Sequence, residues 1–82
     1  RSAGGNLTLF AFDAGQGLTE HTSPFDALVM VLEGELTLTI GGVPVQATSG
    51  TVVQMPADVP HAVDAPVATR MLLLMLRDAK PA

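Results

Sequence analysis

The chain has 82 residues, a formal net charge of −4 and no cysteine, and 48% of its residues are hydrophobic. This length suits one domain with a single core, and without cysteine neither a disulfide framework nor a thiolate metal site can form. The basic residues lie only at positions 1, 70, 77 and 80, whereas binding to nucleic acid or to anionic membranes depends on Lys and Arg. We therefore expect neither of those partners, and instead a small molecule, a metal ion or another protein.

Short β runs separated by turn residues follow one another along the chain. Apolar residues and threonines alternate over 36–40, and Gly41-Gly42 joins this run to 43–47 as a hairpin. Pro44 indicates that the second of these strands lies at a sheet edge. We predict an all-β fold of about eight short antiparallel strands, the spacing of turns being typical of a sandwich or barrel. The runs that read as strands are 7–12, 25–32, 36–40, 43–47, 51–55, 61–63 and 69–77, with a turn at 13–17 and a loop at 56–60.

No change of composition marks a domain boundary, so we predict one domain over residues 1–82 with a frayed tail at 78–82. No apolar run approaches the length of about 18 residues that a membrane helix needs. The first residues contain no apolar signal region, and we expect a cytoplasmic protein. Residue 1 is Arg rather than Met, and we expect that residues are missing from the front end.

Two segments contain the only two histidines, each close to a proline, with glycines at regular distances around them. The residues with this spacing are Gly15, His21 and Gly34 in the first segment and Gly50, Pro56 and His61 in the second. Their order and spacing resemble the two motifs of the cupin superfamily, and nearly the whole chain resembles a small single-domain cupin. The resemblance implies a jelly-roll β-barrel.

The resemblance also implies a divalent metal ion. Cupins typically hold one with two His and a Glu of the first motif and a His of the second. Only His21 and His61 remain of that set, so the implied site is degenerate and would hold Zn, Fe, Mn, Ni or Cu weakly, or no metal at all. The departures from the motifs are Ser23 for the second His, Ala27 for the Glu, Asp58 for a Gly and Ala65 for the terminal Asn.

Asp26 is a candidate for the missing carboxylate. In a regular strand it points away from the face that residues 21, 23, 25 and 27 share, but a bulge at Ser23-Pro24 would turn it inward beside His21. The alternative is that Asp26 caps a turn or faces solvent. We take His21, His61 and Asp26 as candidate metal ligands, with the two imidazoles facing each other across the barrel. A structural role is the alternative for each histidine.

Ser23, Gln54 and Met71 are candidate pocket residues. Ser23 would bind an oxygen of a ligand, or else hydrogen-bond its own backbone at the proline turn. Gln54 is a polar residue in an apolar run, and its alternative is a solvent-facing position. Met71 would line an apolar cavity with other methionines, or fill the core.

Three functions stay open. The first is a metal-dependent enzyme of unknown reaction, in which the ion polarises a substrate or activates water or dioxygen. The second is a metal-free barrel that binds a small neutral or weakly polar molecule in an apolar pocket. The third is a structural or regulatory dimer. The histidines favour metal binding, and no residue can be assigned as catalytic.

A homodimer is also expected. The run 71–76 is apolar on both faces, so part of it is expected to pack against a partner. The resemblance has the same implication, since small cupins usually pair sheet to sheet. The alternative is that the barrel covers one face of the run and the missing front segment covers the other.

Overall fold

The computed structural model describes residues 5–76, and this part of the chain forms eight strands and no helix. The strands form two four-stranded antiparallel sheets, with the orders β1-β8-β3-β6 and β2-β7-β4-β5. The predicted all-β fold of about eight antiparallel strands is confirmed. The strands are β1 (Gly5–Phe12), β2 (Gly17–His21), β3 (Asp26–Glu33), β4 (Glu35–Ile40), β5 (Val43–Thr48), β6 (Val52–Met55), β7 (His61–Asp64) and β8 (Thr69–Leu76).

The strand that sequence reasoning did not find is β2. Its sequence, GLTEH, is mostly polar, and all of its residues except Leu18 are exposed. Neither apolar alternation nor β-branched residues mark it, and pairing with β7 defines it instead. The last predicted strand extended to Arg77, which lies outside the described residues, as does the predicted tail 78–82. Within residues 5–76 there is no helix that could span a membrane.

The core lies between the inner faces of the two sheets. In β4, Leu36 and Leu38 are fully buried whereas Thr37 and Thr39 keep some exposure, which is the alternation expected of a half-buried strand. Edge strand β5 contains Pro44, as predicted from the missing amide proton of proline. The buried hydrophobic residues of the core are Phe12, Ala27, Val29, Val31, Leu36, Leu38, Ala47, Met55, Val63, Ala65 and Met71.

The turn between β3 and β4 is fixed by a glycine and a threonine. Gly34 has a φ of +89°, and a Cβ at this position would collide with the Ala68 carbonyl oxygen and the Thr69 hydroxyl. The buried Thr69 hydroxyl accepts from the Glu35 amide at 3.1 Å, and its one proton can be donated to the carbonyl oxygen of Glu35 or of Val67, each at 2.9 Å. These bonds hold the turn against the start of β8, so Gly34 is needed for both its conformation and its lack of a side chain.

We predict that Gly34→Ala destabilises the protein by about 3 kcal/mol or more, since an unfavourable φ and overpacking each cost about 1–3 kcal/mol. Gly42→Ala is the matched control, because Gly42 has a φ of +82° and open space around its Cα. It should show the cost of conformation alone, about 1–3 kcal/mol. Urea unfolding of both variants gives the comparison, and equal losses of stability would contradict the proposed role of the close contact.

Candidate functional site

The two histidines lie side by side on adjacent strands. His21 ends β2, His61 begins β7, and the two are register partners in the same sheet. Their ring centroids are 4.4 Å apart, with the ring planes at 69° to one another. His61 is 5% exposed, whereas His21 is solvent-exposed. Both rings line one pocket, but the expectation that they face each other across the barrel is wrong, because one sheet contains both.

A β-bulge in β2 turns His21 toward the pocket. The register of β2 with β7 is regular at Leu18, which pairs with Val63, and is shifted by one residue at His21, which pairs with His61. An extra residue in a strand exchanges the faces of the residues that follow. Leu18 and His21 therefore both line the pocket, although three positions separate them. The predicted bulge at Ser23-Pro24 is replaced by this earlier one.

Each imidazole is hydrogen-bonded to a backbone carbonyl oxygen two residues before it in the chain. Nδ1 of His21 lies 2.8 Å from the Thr19 carbonyl oxygen, and Nδ1 of His61 lies 3.1 Å from the Val59 carbonyl oxygen. A carbonyl oxygen only accepts hydrogen bonds, so each Nδ1 is the donor. Both rings are thereby oriented, and the Nε2 atoms are left for other partners.

The pocket that contains the histidines has a volume of about 90 Å³ and an apolar wall. Seven of the ten lining residues are apolar and none is an Asp, Glu, Lys or Arg. Met71, a predicted pocket residue, is in this wall and is fully buried. The other apolar lining residues are Leu18, Ala27, Met55, Val63, Leu73 and Met75.

Several of these lining residues were not singled out by sequence reasoning. Val63 and Leu73 lie on the inner faces of β7 and β8, and strict alternation from His61 and from Met71 would have identified them. Leu18 lies in a strand that the sequence did not reveal, on the N-terminal side of its bulge. No pattern in the sequence indicates its position.

Ser23 is the third polar residue of the pocket and lies in the crossing loop 22–25 between the two sheets. Its Oγ accepts a hydrogen bond from the Phe25 amide at 3.2 Å, and its carbonyl oxygen accepts one from the Asp58 amide at 2.8 Å. Asp58 has a φ of +63°, which explains why the corresponding motif position favours Gly. Ser23 therefore makes the hydrogen bond within its own turn and also lines the pocket, and its binding of a ligand oxygen stays a prediction.

Asp26 and Gln54 are not among the residues that line the pocket. The Asp26 carboxylate accepts a hydrogen bond from the Ala57 amide at 2.8 Å, so it caps the loop 56–60 rather than joining the histidines. Gln54 is exposed and pairs with Leu28 on the outer side of the sheet. The expectations that Asp26 is a metal ligand beside His21 and that Gln54 is a pocket residue are therefore corrected. In each case the alternative describes the structure.

The donor set does not fit a firmly held metal ion. Within residues 5–76, no group of three or more His, Cys, Asp or Glu side chains is arranged to bind one. Ser23 and Ala27 line the pocket beside the histidines, at the positions where the resemblance would place the second His and the Glu. Two imidazole nitrogens are fewer than the three or four protein ligands of a stable site.

The chain is similar to a known protein family and to several solved structures. The model of the Cupin domain matches residues 8–77. A conserved Streptococcus pyogenes protein of unknown function is 34% identical, with a TM-score of 0.89 over 98% of this chain and 70% of that one. A Cupin 2 conserved barrel domain protein from Leptotrichia buccalis is 33% identical, with a TM-score of 0.88 over 94% of this chain and 38% of that one.

A more distant likeness is to the salicylate 1,2-dioxygenase of Pseudaminobacter salicylatoxidans, at 15% identity and a TM-score of 0.84 over 88% of this chain and 21% of that one. At this identity the likeness concerns the fold alone. None of the curated proteins compared with the chain matches it significantly. The family match covers most of the chain and agrees with the two-sheet barrel and the spacing of both motifs. The chain therefore belongs to the cupin family.

Proposed function

We propose that this cupin barrel binds a small, largely apolar molecule between its two sheets and holds the polar group of that molecule with His21, His61 and Ser23. The observation that carries the proposal is the composition of the pocket, in which three uncharged polar residues accompany seven apolar ones. Binding sites commonly combine an apolar wall with a few polar groups that orient the ligand.

The size and charge of the pocket restrict the ligand. An apolar cavity of about 150 Å³ is enough to hold benzene. The pocket has about 90 Å³ and is lined on one side by exposed His21, so it would partly enclose a ligand of the size of benzene. No Lys or Arg in the lining would neutralise an anion, and no Asp or Glu would neutralise a cation. A neutral or weakly polar ligand fits best.

Metal binding is the second candidate, and the orientation of the histidines favours it. Metal-ligating histidines usually donate their other ring N–H to a carbonyl or carboxylate, and both Nδ1 atoms are within hydrogen-bond distance of carbonyl oxygens here. A Zn, Fe, Mn, Ni or Cu ion on the two Nε2 atoms would supply Lewis-acid chemistry and leave positions for water or ligand. With two protein ligands the ion would exchange readily. Any metal-dependent enzymatic activity would require that such an ion binds.

We also propose a homodimer that pairs the outer faces of the β1-β8-β3-β6 sheets. Two rows of side chains cross this face: Leu9, Leu72, Met30 and Val52, and beside them Leu7, Leu74, Leu28 and Gln54. Four of the apolar residues are 40–65% exposed, namely Leu7, Leu9, Met30 and Val52. Water contact with such a continuous apolar face is unfavourable.

A second copy is the occupant that this face fits. The centre of the face contains no charge, and the Arg70–Glu33 ion pair lies at one margin with both side chains exposed. A two-fold interface brings identical surfaces together, and an uncharged apolar centre can do so without like-charge repulsion. Three strands of eight residues and one of four, about 4.8 Å apart, give a face of roughly 450 Å². Two copies would bury roughly 900 Å² in total, close to the lower limit of about 1,000 Å² for specific interfaces.

For the binding proposal, we predict that toluene perturbs the pocket methionines in the NMR spectrum of methyl-labelled protein. The signals of Met55, Met71 and Met75 should shift, whereas Met30 on the outer face should not. Ala27→Leu should abolish the shifts by filling the pocket, at a cost of about 1–3 kcal/mol in stability. Shifts that are confined to Met30, or that persist unchanged in the filled variant, would contradict binding in this pocket.

For the metal candidate, elemental analysis of natively purified protein is expected to find well under one equivalent of divalent metal. Both His21→Ala and His61→Ala should remove whatever is bound, with little loss of folding. The double variant Ser23→His/Ala27→Glu should instead retain about one equivalent, because four donors would then surround the pocket. A firmly held equivalent in the wild type would reverse the order of the two candidates.

For the homodimer, we predict that Leu9→Glu converts a dimer to a monomer, as measured by size-exclusion chromatography with light scattering. Leu9 lies in one of the apolar rows of this face, and a charge within an apolar interface is costly because it is desolvated without a partner. Val43→Glu is the matched control, since Val43 is 62% exposed but lies on the edge strand β5 of the other sheet. A wild-type monomer at 100 μM, or a dimer that Leu9→Glu leaves intact, would overturn the proposal.

A further inference from the structure

The polar end of the pocket has a specific hydrogen-bonding character, which follows from the backbone bonds of the histidines. Nδ1 of each ring is within hydrogen-bond distance of a carbonyl oxygen, Thr19 O for His21 and Val59 O for His61. The proton of a neutral imidazole is therefore on Nδ1, and Nε2 has a lone pair. Two neutral rings thus offer two acceptors and no donor.

Ser23 supplies the complementary group. Its Oγ accepts from the Phe25 amide, and because a hydroxyl has one donor and two acceptor sites, its proton can still be donated to a ligand. The pocket lining contains no other hydroxyl, amide or charged side chain. A ligand group that fits must therefore donate to an imidazole nitrogen and accept from a serine hydroxyl.

We infer that the ligand is a small phenol whose hydroxyl donates its one proton to an imidazole Nε2 of the histidine pair and accepts a hydrogen bond from Ser23. The inference rests on the proposed binding function and names the class of ligand. A carbonyl or ether oxygen would leave the imidazole lone pairs without a donor, and an unpaired buried polar group is costly. An ammonium group would find no carboxylate in the lining, and a carboxylate would find no Lys or Arg.

The apolar wall favours an aromatic ring over an alkyl chain as the body of this ligand. Three of its seven apolar residues are methionines, Met55, Met71 and Met75. Methionine sulfur makes favourable contacts with aromatic rings, and the flexible side chain adapts to the shape of a ligand. A ligand with a single ring and one hydroxyl would be partly enclosed by a pocket of about 90 Å³, and a larger ligand would be mostly outside it.

The test compares phenol with anisole and toluene, using the methionine methyl signals of the full chain as the readout. Anisole keeps the ring and the oxygen but cannot donate a hydrogen bond, and toluene lacks the oxygen. We expect phenol to bind about tenfold more tightly than either, as is typical of one hydrogen bond to a group that is otherwise unpaired. The preference should shrink to less than threefold in His61→Leu.

Because His61 is buried, His61→Leu can also disturb folding. His21→Leu is therefore the second variant, at a solvent-exposed residue. It too should reduce the preference for phenol over anisole without reducing toluene binding. Equal binding of all three compounds to the wild type would overturn the inference while leaving the proposed pocket in place. A preference that neither histidine variant reduces would also overturn it. If none of the three shifts the pocket methionines, the proposed binding function fails as well.

Discussion

The pairing of β2 with β7 is the interaction on which the site depends. It places His21 beside His61, and the bulge between Leu18 and His21 directs both of these β2 residues toward the pocket. In a regular strand the two would lie on opposite faces, and either the apolar wall or the polar end would lose one residue. The strand is mostly exposed and contributes little to the core. Its position is therefore determined by backbone pairing and by one irregularity rather than by hydrophobic burial.

Some positions of the family motifs are required by the backbone conformation of this chain, whereas others serve metal binding and are not kept. The glycine of the β3–β4 turn is required by its φ of +89° and by the close approach of β8. Asp58 adopts a positive φ where the motif has a glycine, and Asp is among the residues that tolerate this conformation best. At Ser23 and Ala27 the barrel keeps its wall but lacks two metal donors. The fold thus depends on the backbone requirements of the motifs, and the metal donors can be lost independently.

How far the sequence predicted this structure depends on the kind of signal. The strands with apolar alternation or flanking glycine turns, such as β4 and β5, were predicted closely, because local chemistry determines them. The family resemblance placed His21 and His61 in one cavity, but it did not give their relation as neighbours in a single sheet. Strand β2, its bulge and the cap formed by Asp26 depend on partners far away in sequence. Periodicity does not indicate such long-range partners, and the face on which Asp26 lies could not be deduced from it.

The two loops at the pocket mouth are cross-linked by hydrogen bonds, and this has a consequence for how a ligand enters. Loops 22–25 and 56–60 both cross from one sheet to the other. Loop 56–60 is bonded through the Asp58 amide to Ser23 in the other loop, and through the Ala57 amide to Asp26 at the start of β3. Moving loop 56–60 outward would break both bonds together. Exchange of a bound molecule can instead proceed by rotation of the exposed His21 side chain. Exposed side chains rotate in picoseconds to nanoseconds, which is faster than loops move. The His21 side chain would then control access to the pocket while the hydrogen-bonded loops keep their positions.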